Sequence, residues 1–225
     1  MDKNSTKSRC AKLYQQANNL LLRFGPKKYL LLTLSIFVLG FFMAAIMTRD
    51  KEWWVRSTCS LGMRINGTPE FYNYSFIIVG VMLIIFVIYL KPQIQSLISK
   101  NLLTKTKTIT LTILYFIEII TLILVGAIPY GDSDWTNKIH VWFGFYVFIN
   151  LGIAMFFAFW FFRKFSKKFL ITNYILLIIG MLSYFLGIGA QLLPYAIAEM
   201  ITIIVVLSWM GMTFIEIDEL SKIKK

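Results

Sequence analysis

Six apolar stretches, each long enough to cross a lipid bilayer, dominate this chain of 225 residues. A helix needs about 20 mostly apolar residues to span roughly 30 Å of hydrocarbon. The six stretches are Tyr29–Thr48, Phe71–Leu90, Ile109–Ile128, Ile139–Phe162, Leu170–Ala190 and Ala196–Ile215. They lack the apolar–polar alternation of barrel strands, so only helices satisfy their backbone hydrogen bonds in lipid. The sequence therefore predicts an all-α integral membrane protein, a bundle of six transmembrane helices.

Composition supports this class, because 58% of the residues are hydrophobic and only 15% are charged. A soluble core of this chain length could not hide so much apolar surface, and lipid must cover the rest. The first stretch follows 28 residues and exceeds the apolar core of a signal peptide, so we expect it to be retained. In the second stretch, we expect Lys91 and Pro92 to end the helix.

Lysine and arginine are distributed unevenly between the two sides of the predicted bundle. Cytoplasmic segments of membrane proteins carry an excess of these residues. One side would hold 18 of the 23 cations, and the other side would hold only Arg49, Lys51, Arg56, Arg64 and Lys138. The sequence therefore predicts that both termini are cytoplasmic, with a basic segment at residues 1–28, a membrane domain at 29–215 and a tail at 216–225. We expect a multi-pass protein of the plasma membrane.

A net charge of +12 is also typical of nucleic-acid-binding proteins. Here every basic cluster flanks a helix end, where cations meet anionic head groups. We therefore expect membrane lipids as partners and no nucleic acid; a membrane-protein partner or a second copy of the chain also remains open. The basic N-terminal segment could form an amphipathic helix on the membrane surface between Cys10 and Phe24, or a disordered arm.

One acidic residue, Glu118, lies in the middle of the third stretch. An ionised carboxylate at the centre of a bilayer costs about 2.5 kcal/mol or more, so Glu118 must face protein or water. Asn150 lies at a similar depth in the antiparallel fourth stretch. The sequence predicts a hydrogen bond between Asn150 and Glu118. This midplane pair could be a proton or cation site, or a structural link between two helices.

Other polar residues gather at the predicted outer face: His140 opens the fourth stretch, Asp132 and Asp134 precede it, and Glu199 opens the sixth. Zinc hydrolases usually draw on several histidines, and the chain has one. Ser57 or Ser60 could be combined with His140 and Asp132, but no nucleophile motif supports a catalytic triad. Phosphate loops, dinucleotide fingerprints and paired metal-binding cysteines are also missing from the sequence, so we expect no cofactor, no bound metal and no catalytic residue.

Small residues recur along one side of the fifth stretch, at Gly180, Ser183, Gly187 and Ala190. A stripe of small side chains lets a neighbouring helix approach closely. We therefore predict that this stripe packs against another helix.

Several short motifs resemble a known family when they are taken in order. They are Ser57-Thr58-Cys59-Ser60-Leu61-Gly62, Asn73-Tyr74-Ser75-Phe76, Gly80, Val125-Gly126-Ala127-Ile128-Pro129, His140, Glu199 and Trp209. Over residues 28–215 this order resembles the bacterial six-helix membrane proteins of domain of unknown function 998, and more distantly the Frag, DRAM and Sfk family. The resemblance implies a six-helix fold and polar positions at the outer face, here Ser60, Gly62, Asn73, His140 and Glu199. It implies no established reaction, and the eukaryotic relatives are tied to membrane-lipid organisation and autophagy.

Three functions are compatible with these features. The first is a non-enzymatic protein that binds lipid or a partner through an outer-face polar pocket of Ser60, Asn73, His140 and Glu199. The second is a small-solute or proton-coupled transporter that uses the midplane pair Glu118 and Asn150. The third is an intramembrane hydrolase built on His140 and nearby carboxylates.

Overall fold

The computed structural model describes residues 15–16, 19, 24–55, 57–63, 67, 69–131 and 133–223, apart from the side chains of residues 151 and 188. The N-terminal amphipathic helix and Asp132 therefore lie wholly or largely outside the described residues. Within them the fold is helical, with no strand. Six helices are long and apolar enough to cross a membrane, in agreement with the sequence.

The chain forms seven α-helices in the described ranges. They are α1 (Pro26–Met47), α2 (Pro69–Ser99), α3 (Lys105–Ala127), α4 (Asp134–Phe156), the short α5 (Ala158–Phe162), α6 (Lys167–Tyr184) and α7 (Tyr195–Lys222). A 3₁₀ helix at Thr58–Gly62 lies between α1 and α2, and one π-helical segment at Phe185–Gly189 extends α6. We call the end with the 3₁₀ helix, which the charge distribution predicts to be extracytoplasmic, the outer end.

Local signals account for several helix starts. Thr104 and Ser166 cap α3 and α6 by accepting hydrogen bonds from backbone N–H groups in the first turn. Ser133 and Thr136 form a reciprocal capping box at the start of α4. Such caps satisfy backbone donors that a helix leaves without partners.

The second helix is longer than the sequence predicts. It continues through Pro92 to Ser99, so the expectation that Lys91 and Pro92 end it is wrong. A proline removes one backbone donor, and this loss is tolerated where neighbouring groups support the helix. Leu97 is fully buried, and Ser96 Oγ donates to the carbonyl of Ser221 at the end of α7 (3.4 Å).

Two further boundaries differ from the sequence prediction. The fourth stretch, predicted as one segment, is interrupted at Phe157 between α4 and α5. Residues 216–222, assigned to the tail, continue α7. There Asp218 is buried and accepts hydrogen bonds from Tyr89 (2.9 Å) and Lys222 (2.5 Å).

The most buried helices are α7 and α2, and they form the centre of the bundle. Helix α2 packs against α1, α3 and α7, and α6 packs against α7. An aromatic cluster joins three helices: Phe214 stacks on Phe86 (5.0 Å between ring centroids) and contacts Tyr115 (5.0 Å). Such ring pairs add stabilisation beyond their buried area.

The small-residue stripe packs against α7, as predicted, at three of its four positions. A Cβ on Gly180 would lie 3.3 Å from Val205, and one on Gly187 would lie 2.2 Å from Ala198. Between them, Ser183 shares a hydrogen bond with Thr202 (3.1 Å). The fourth residue, Ala190, follows the π-helical segment and is exposed.

Candidate functional site

Glu199, in the second turn of α7, anchors the 3₁₀ helix at the outer end. Its Oε2 accepts hydrogen bonds from the Thr58 backbone N–H (2.6 Å), the Thr58 hydroxyl (2.9 Å) and the Ser57 hydroxyl (2.9 Å). The carboxylate thereby satisfies a backbone donor that the 3₁₀ helix would otherwise leave without a partner. Glu199 therefore fixes the first loop to the central helix.

His140 and Cys59 form a second pair in the same region. The imidazole is fully buried, and its Nδ1 lies 2.7 Å from the Ile128 carbonyl. Because a carbonyl can only accept, Nδ1 carries the hydrogen, and Nε2 of the neutral ring accepts from the Cys59 thiol at 3.2 Å. Burial, and secondarily the charge of Glu199, raises the pKa of Cys59 to about 12. The thiol is therefore protonated and can donate to His140.

Asn73 holds the other end of the 3₁₀ helix. Its side-chain amide donates to the Gly62 carbonyl (3.3 Å). A Cβ at position 62 would lie only 2.6 Å from the Asn73 Oδ1, so this contact requires glycine. Tyr72 donates to the Thr58 hydroxyl (3.1 Å), and Ser60 is buried within the 3₁₀ helix.

The structure brings all four predicted pocket residues, Ser60, Asn73, His140 and Glu199, into or against the 3₁₀ helix. We call these residues, together with Ser57–Gly62, the outer cluster. It adjoins a cavity of about 30 Å³, and this is room for one water molecule rather than a lipid head group. The cluster is therefore a closed polar assembly instead of an open pocket.

The hydrolytic alternative would combine Ser57 or Ser60 with His140 and Asp132, but Ser57 and His140 have other contacts in the described residues. Ser57 donates to Glu199, and the His140 imidazole contacts Ile128 and Cys59 instead of a carboxylate. No group of three or more His, Cys, Asp and Glu side chains is placed to hold a metal ion in the described ranges. Asp132 lies outside those ranges.

The hydrogen bond predicted between Asn150 and Glu118 is present. Asn150 Nδ2 donates to Glu118 Oε2 (3.3 Å) and to the Leu114 carbonyl (2.9 Å). Glu118 is 1% exposed, and its Oε1 has no partner in the described part of the chain. The hydroxyl of Tyr115, one turn away on the same helix, also lacks a partner there.

Sequence reasoning missed a polar junction at Asn173. This buried side chain accepts a hydrogen bond from the Trp209 indole and donates to the Met155 carbonyl (3.3 Å). It therefore joins α4, α6 and α7. An asparagine inside an apolar stretch was the available signal, since buried amides require partners.

A much wider cavity than the one beside the outer cluster lies in a lateral groove between α4, α6 and α7. Its volume is about 450 Å³ and its lining contains no charged residue. Met155 and Val206 form buried parts of its wall, whereas Phe145 and Met181 are exposed at its rim. Gly152 contributes to the opening, because no atom lies within 4 Å of a Cβ built at this position. We call this feature the lateral groove.

The motifs of the outer cluster carried the resemblance to a family, and a family model now matches most of the chain. The model, described as protein of unknown function (DUF998), covers residues 31–216. The chain belongs to the DUF998 family. No curated protein and no solved structure matches it. Membership in DUF998 agrees with the six-helix architecture and assigns no reaction, and the likeness to the Frag, DRAM and Sfk family stays a prediction.

Proposed function

We propose that this DUF998 protein is a non-enzymatic membrane protein that binds a lipid, with an acyl chain of the lipid in the lateral groove. The observation that carries the proposal is the groove itself, an apolar cavity of about 450 Å³ along three membrane-spanning helices. Ligand sites are typically concave and mostly apolar, and this volume is in their usual range. In the outer cluster, by contrast, the Glu199 carboxylate and the His140 imidazole are already engaged by the first loop and the Ile128 carbonyl.

An acyl chain suits the chemistry of the groove. Exposed residues such as Phe145 (43%) and Met181 (65%) form part of its lining, so it opens on the lipid-facing surface of the bundle. Its polar contributors are the side chains of Tyr184 and Thr202. Because the Thr202 hydroxyl already donates to the Ala198 carbonyl (2.8 Å), the groove has few hydrogen-bond donors for a polar ligand.

A transmembrane helix of a partner or a second copy fits the groove less well. A helix about 10 Å across with a pitch of 5.4 Å fills about 450 Å³ with a single turn. A spanning helix needs many turns, whereas a flexible acyl chain can occupy a short, narrow cleft.

The outer cluster has a positioning role in this proposal. Phe148 borders both the lateral groove and the small cavity beside Glu199. Its ring packs against Tyr184, which also lines the groove (5.8 Å between ring centroids). His140 and Glu199 hold the first loop at this end, and they act on a bound lipid through that loop instead of touching it.

The proposal can be tested by placing a large side chain at position 152, where it would occupy the lateral groove. Native mass spectrometry of the detergent-purified full chain would count retained phospholipids in wild type, Gly152→Trp and Gly152→Ala. We expect wild type and Gly152→Ala to retain one lipid and Gly152→Trp to lose it at least tenfold, because only the indole fills the opening.

A matched control places the same indole at Ile153, a neighbouring lipid-facing residue outside the groove lining (45% exposed). Ile153→Trp should retain the lipid. Equal retention in all variants would exclude the groove as the lipid site. Loss of a dimer signal in Gly152→Trp, without loss of lipid, would instead favour a second copy as the occupant.

A second candidate, proton- or cation-coupled transport, is favoured by Glu118. Its Oε1 and the Tyr115 hydroxyl are both buried without partners in the described residues, one helical turn apart. Buried polar atoms of this kind are usually satisfied by an ordered water or an ion where the protein supplies no partner.

Uptake measured in liposomes tests this second candidate. Glu118→Gln preserves an oxygen that can accept from Asn150, so the helix link survives while the ionisable group is removed. Coupled uptake that disappears in Glu118→Gln would support transport. Wild-type liposomes without uptake, together with unchanged lipid retention in the variant, would assign Glu118 a structural role.

A further inference from the structure

Three cations converge at the end of the bundle opposite the outer cluster. Lys107 belongs to the first turn of α3, and Arg163 and Lys164 follow the short helix α5. The charges of Arg163 and Lys164 lie close enough to act electrostatically on the Lys107 ammonium. Like charges that are held together repel one another, so their grouping favours an anion between or above them.

Backbone contacts hold two of the three cations in place. The Lys107 ammonium donates to the Trp160 carbonyl and lies 4.9 Å from the centroid of the Trp160 ring. The Lys164 ammonium donates to the Asn101 carbonyl. Each ammonium has further donors, and the Arg163 guanidinium offers a planar fork that suits phosphate.

No carboxylate pairs with these cations in the described part of the chain. The acidic residues at this end have other contacts: Glu219 pairs with Lys27 (2.7 Å), Asp218 binds Tyr89 and Lys222, and Glu216 accepts from the Ser166 N–H (3.3 Å). The positive charge of the three residues is therefore not neutralised by the protein.

The position of the cluster favours a lipid over a soluble anion. Trp160 (48% exposed) and Phe159 (54% exposed) lie on α5 beside the cations, on the apolar surface where the chain leaves the membrane. Tryptophan is enriched at this depth, at the level of the head groups. Basic pockets between helices at such a boundary bind phosphate-bearing head groups.

We propose that Lys107, Arg163 and Lys164 form a binding site for the phosphate of an anionic membrane lipid. Trp160 supports Lys107 through its carbonyl and its ring. The exposed aromatic side chains of α5 contact the acyl chains next to the head group. The site is separate from the lateral groove and does not depend on the function proposed for the groove.

The experiment compares two double variants with the same loss of charge in the full-length protein. Arg163→Gln with Lys164→Gln removes two of the three ligands, whereas Lys167→Gln with Lys168→Gln removes two exposed lysines a few residues away. Native mass spectrometry would follow titration with phosphatidic acid, phosphatidylcholine and soluble glycerol phosphate. We expect wild type to prefer phosphatidic acid and the Arg163/Lys164 variant to bind it about 30-fold more weakly.

The Lys167/Lys168 variant should change less than threefold. Equal weakening in both variants would mean diffuse attraction to the surface, and no weakening in either would mean that the cluster is not a site; both results overturn the proposal. Glycerol phosphate binding as tightly as phosphatidic acid would identify a soluble-anion site and also overturn it. Thermal denaturation of each variant checks that weaker binding does not come from unfolding.

Discussion

The polar residues at the outer end act through specific donor and acceptor assignments. Glu199 accepts from the Thr58 N–H, while His140 uses one nitrogen for the Ile128 carbonyl and the other for the Cys59 thiol. His140 and Glu199 are buried, and their contacts with Cys59 and Thr58 join segments that are distant in sequence. Single substitutions here should therefore affect the whole bundle.

The Cys59 thiol should react slowly in the folded protein. Burial raises its pKa to about 12, so little thiolate exists at pH 8, and the thiolate is the form that reacts with maleimide. In a Cys10→Ser background, we expect labelling at pH 8 to be at least tenfold slower in mild detergent than in denaturant. Equal rates would contradict the burial of the thiol.

The same shift makes stability depend on alkaline pH. Between about pH 9 and pH 12 the unfolded chain loses the Cys59 proton while the folded chain keeps it, so stability falls as pH rises through this window. Cys59→Ala should lose this part of the pH dependence. The measurement is the thermal midpoint from pH 7 to pH 11, which should fall less in Cys59→Ala than in wild type.

Glu199→Gln should weaken the outer cluster. The amide offers one acceptor oxygen and introduces an N–H₂ group that faces the Thr58 and Ser57 donors, so we expect a loss of about 1–3 kcal/mol. Glu219→Gln, on the same helix in a solvent-exposed ion pair with Lys27, should reduce stability much less, because solvent screens exposed ion pairs. Thermal denaturation in detergent would compare the two variants. Equal losses of stability would contradict the role of Glu199 as the anchor of the first loop.

At the scale of elements, tertiary contacts altered the helices that local signals predicted. Proline at position 92 does not end α2, because the following turns pack against α7. The interruption at Phe157 has no comparable sequence signal, since it lies within an apolar run. The π-helical segment at Phe185–Gly189 contains two glycines, which do not by themselves predict this type of helix. Apolar periodicity reports length and burial and does not report such local changes of hydrogen bonding.

Two glycines should respond in opposite ways to the same substitution. A Cβ on Gly126 of α3 would lie 2.4 Å from the Asn73 carbonyl oxygen of α2, whereas nothing lies within 4 Å of one on Gly144 of α4. We expect Gly126→Ala to cost about 1–3 kcal/mol through overpacking, and Gly144→Ala to leave stability unchanged or raise it by up to about 1 kcal/mol. Thermal midpoints in detergent test the pair. A stable Gly126→Ala would contradict the close approach of α2 and α3.

At the scale of the whole molecule, the charge distribution predicts an orientation that the geometry leaves open. In cells expressing variants without native cysteines, a membrane-impermeant maleimide should label Lys51→Cys in the first loop. It should not label Lys105→Cys, at the start of α3, until the membrane is permeabilised. The reverse pattern would show that the asymmetry of lysine and arginine does not set the topology of this protein.

The family and the six spans could be predicted from the sequence because both depend on local features. Apolar length determines which segments enter lipid, and short motifs in a fixed order identify DUF998 over residues 31–216. The pairing of Asn150 with Glu118 was also predictable, because an antiparallel neighbour at the same depth supplies a partner for a costly carboxyl group. These inferences need only helix rise, lipid thickness and the cost of burying charge.

Only the tertiary structure determined which hydrogen bonds the outer polar residues form and where the bundle leaves a cavity. Glu199 and Thr58 are far apart in sequence, and nothing local indicates that the carboxylate caps the 3₁₀ helix or that the cluster is closed. The lateral groove likewise arises where α4, α6 and α7 fail to fill the space beside Gly152. Lipid-facing and protein-facing residues are equally apolar in a membrane protein, so hydrophobicity predicts the helices and not the way in which they pack.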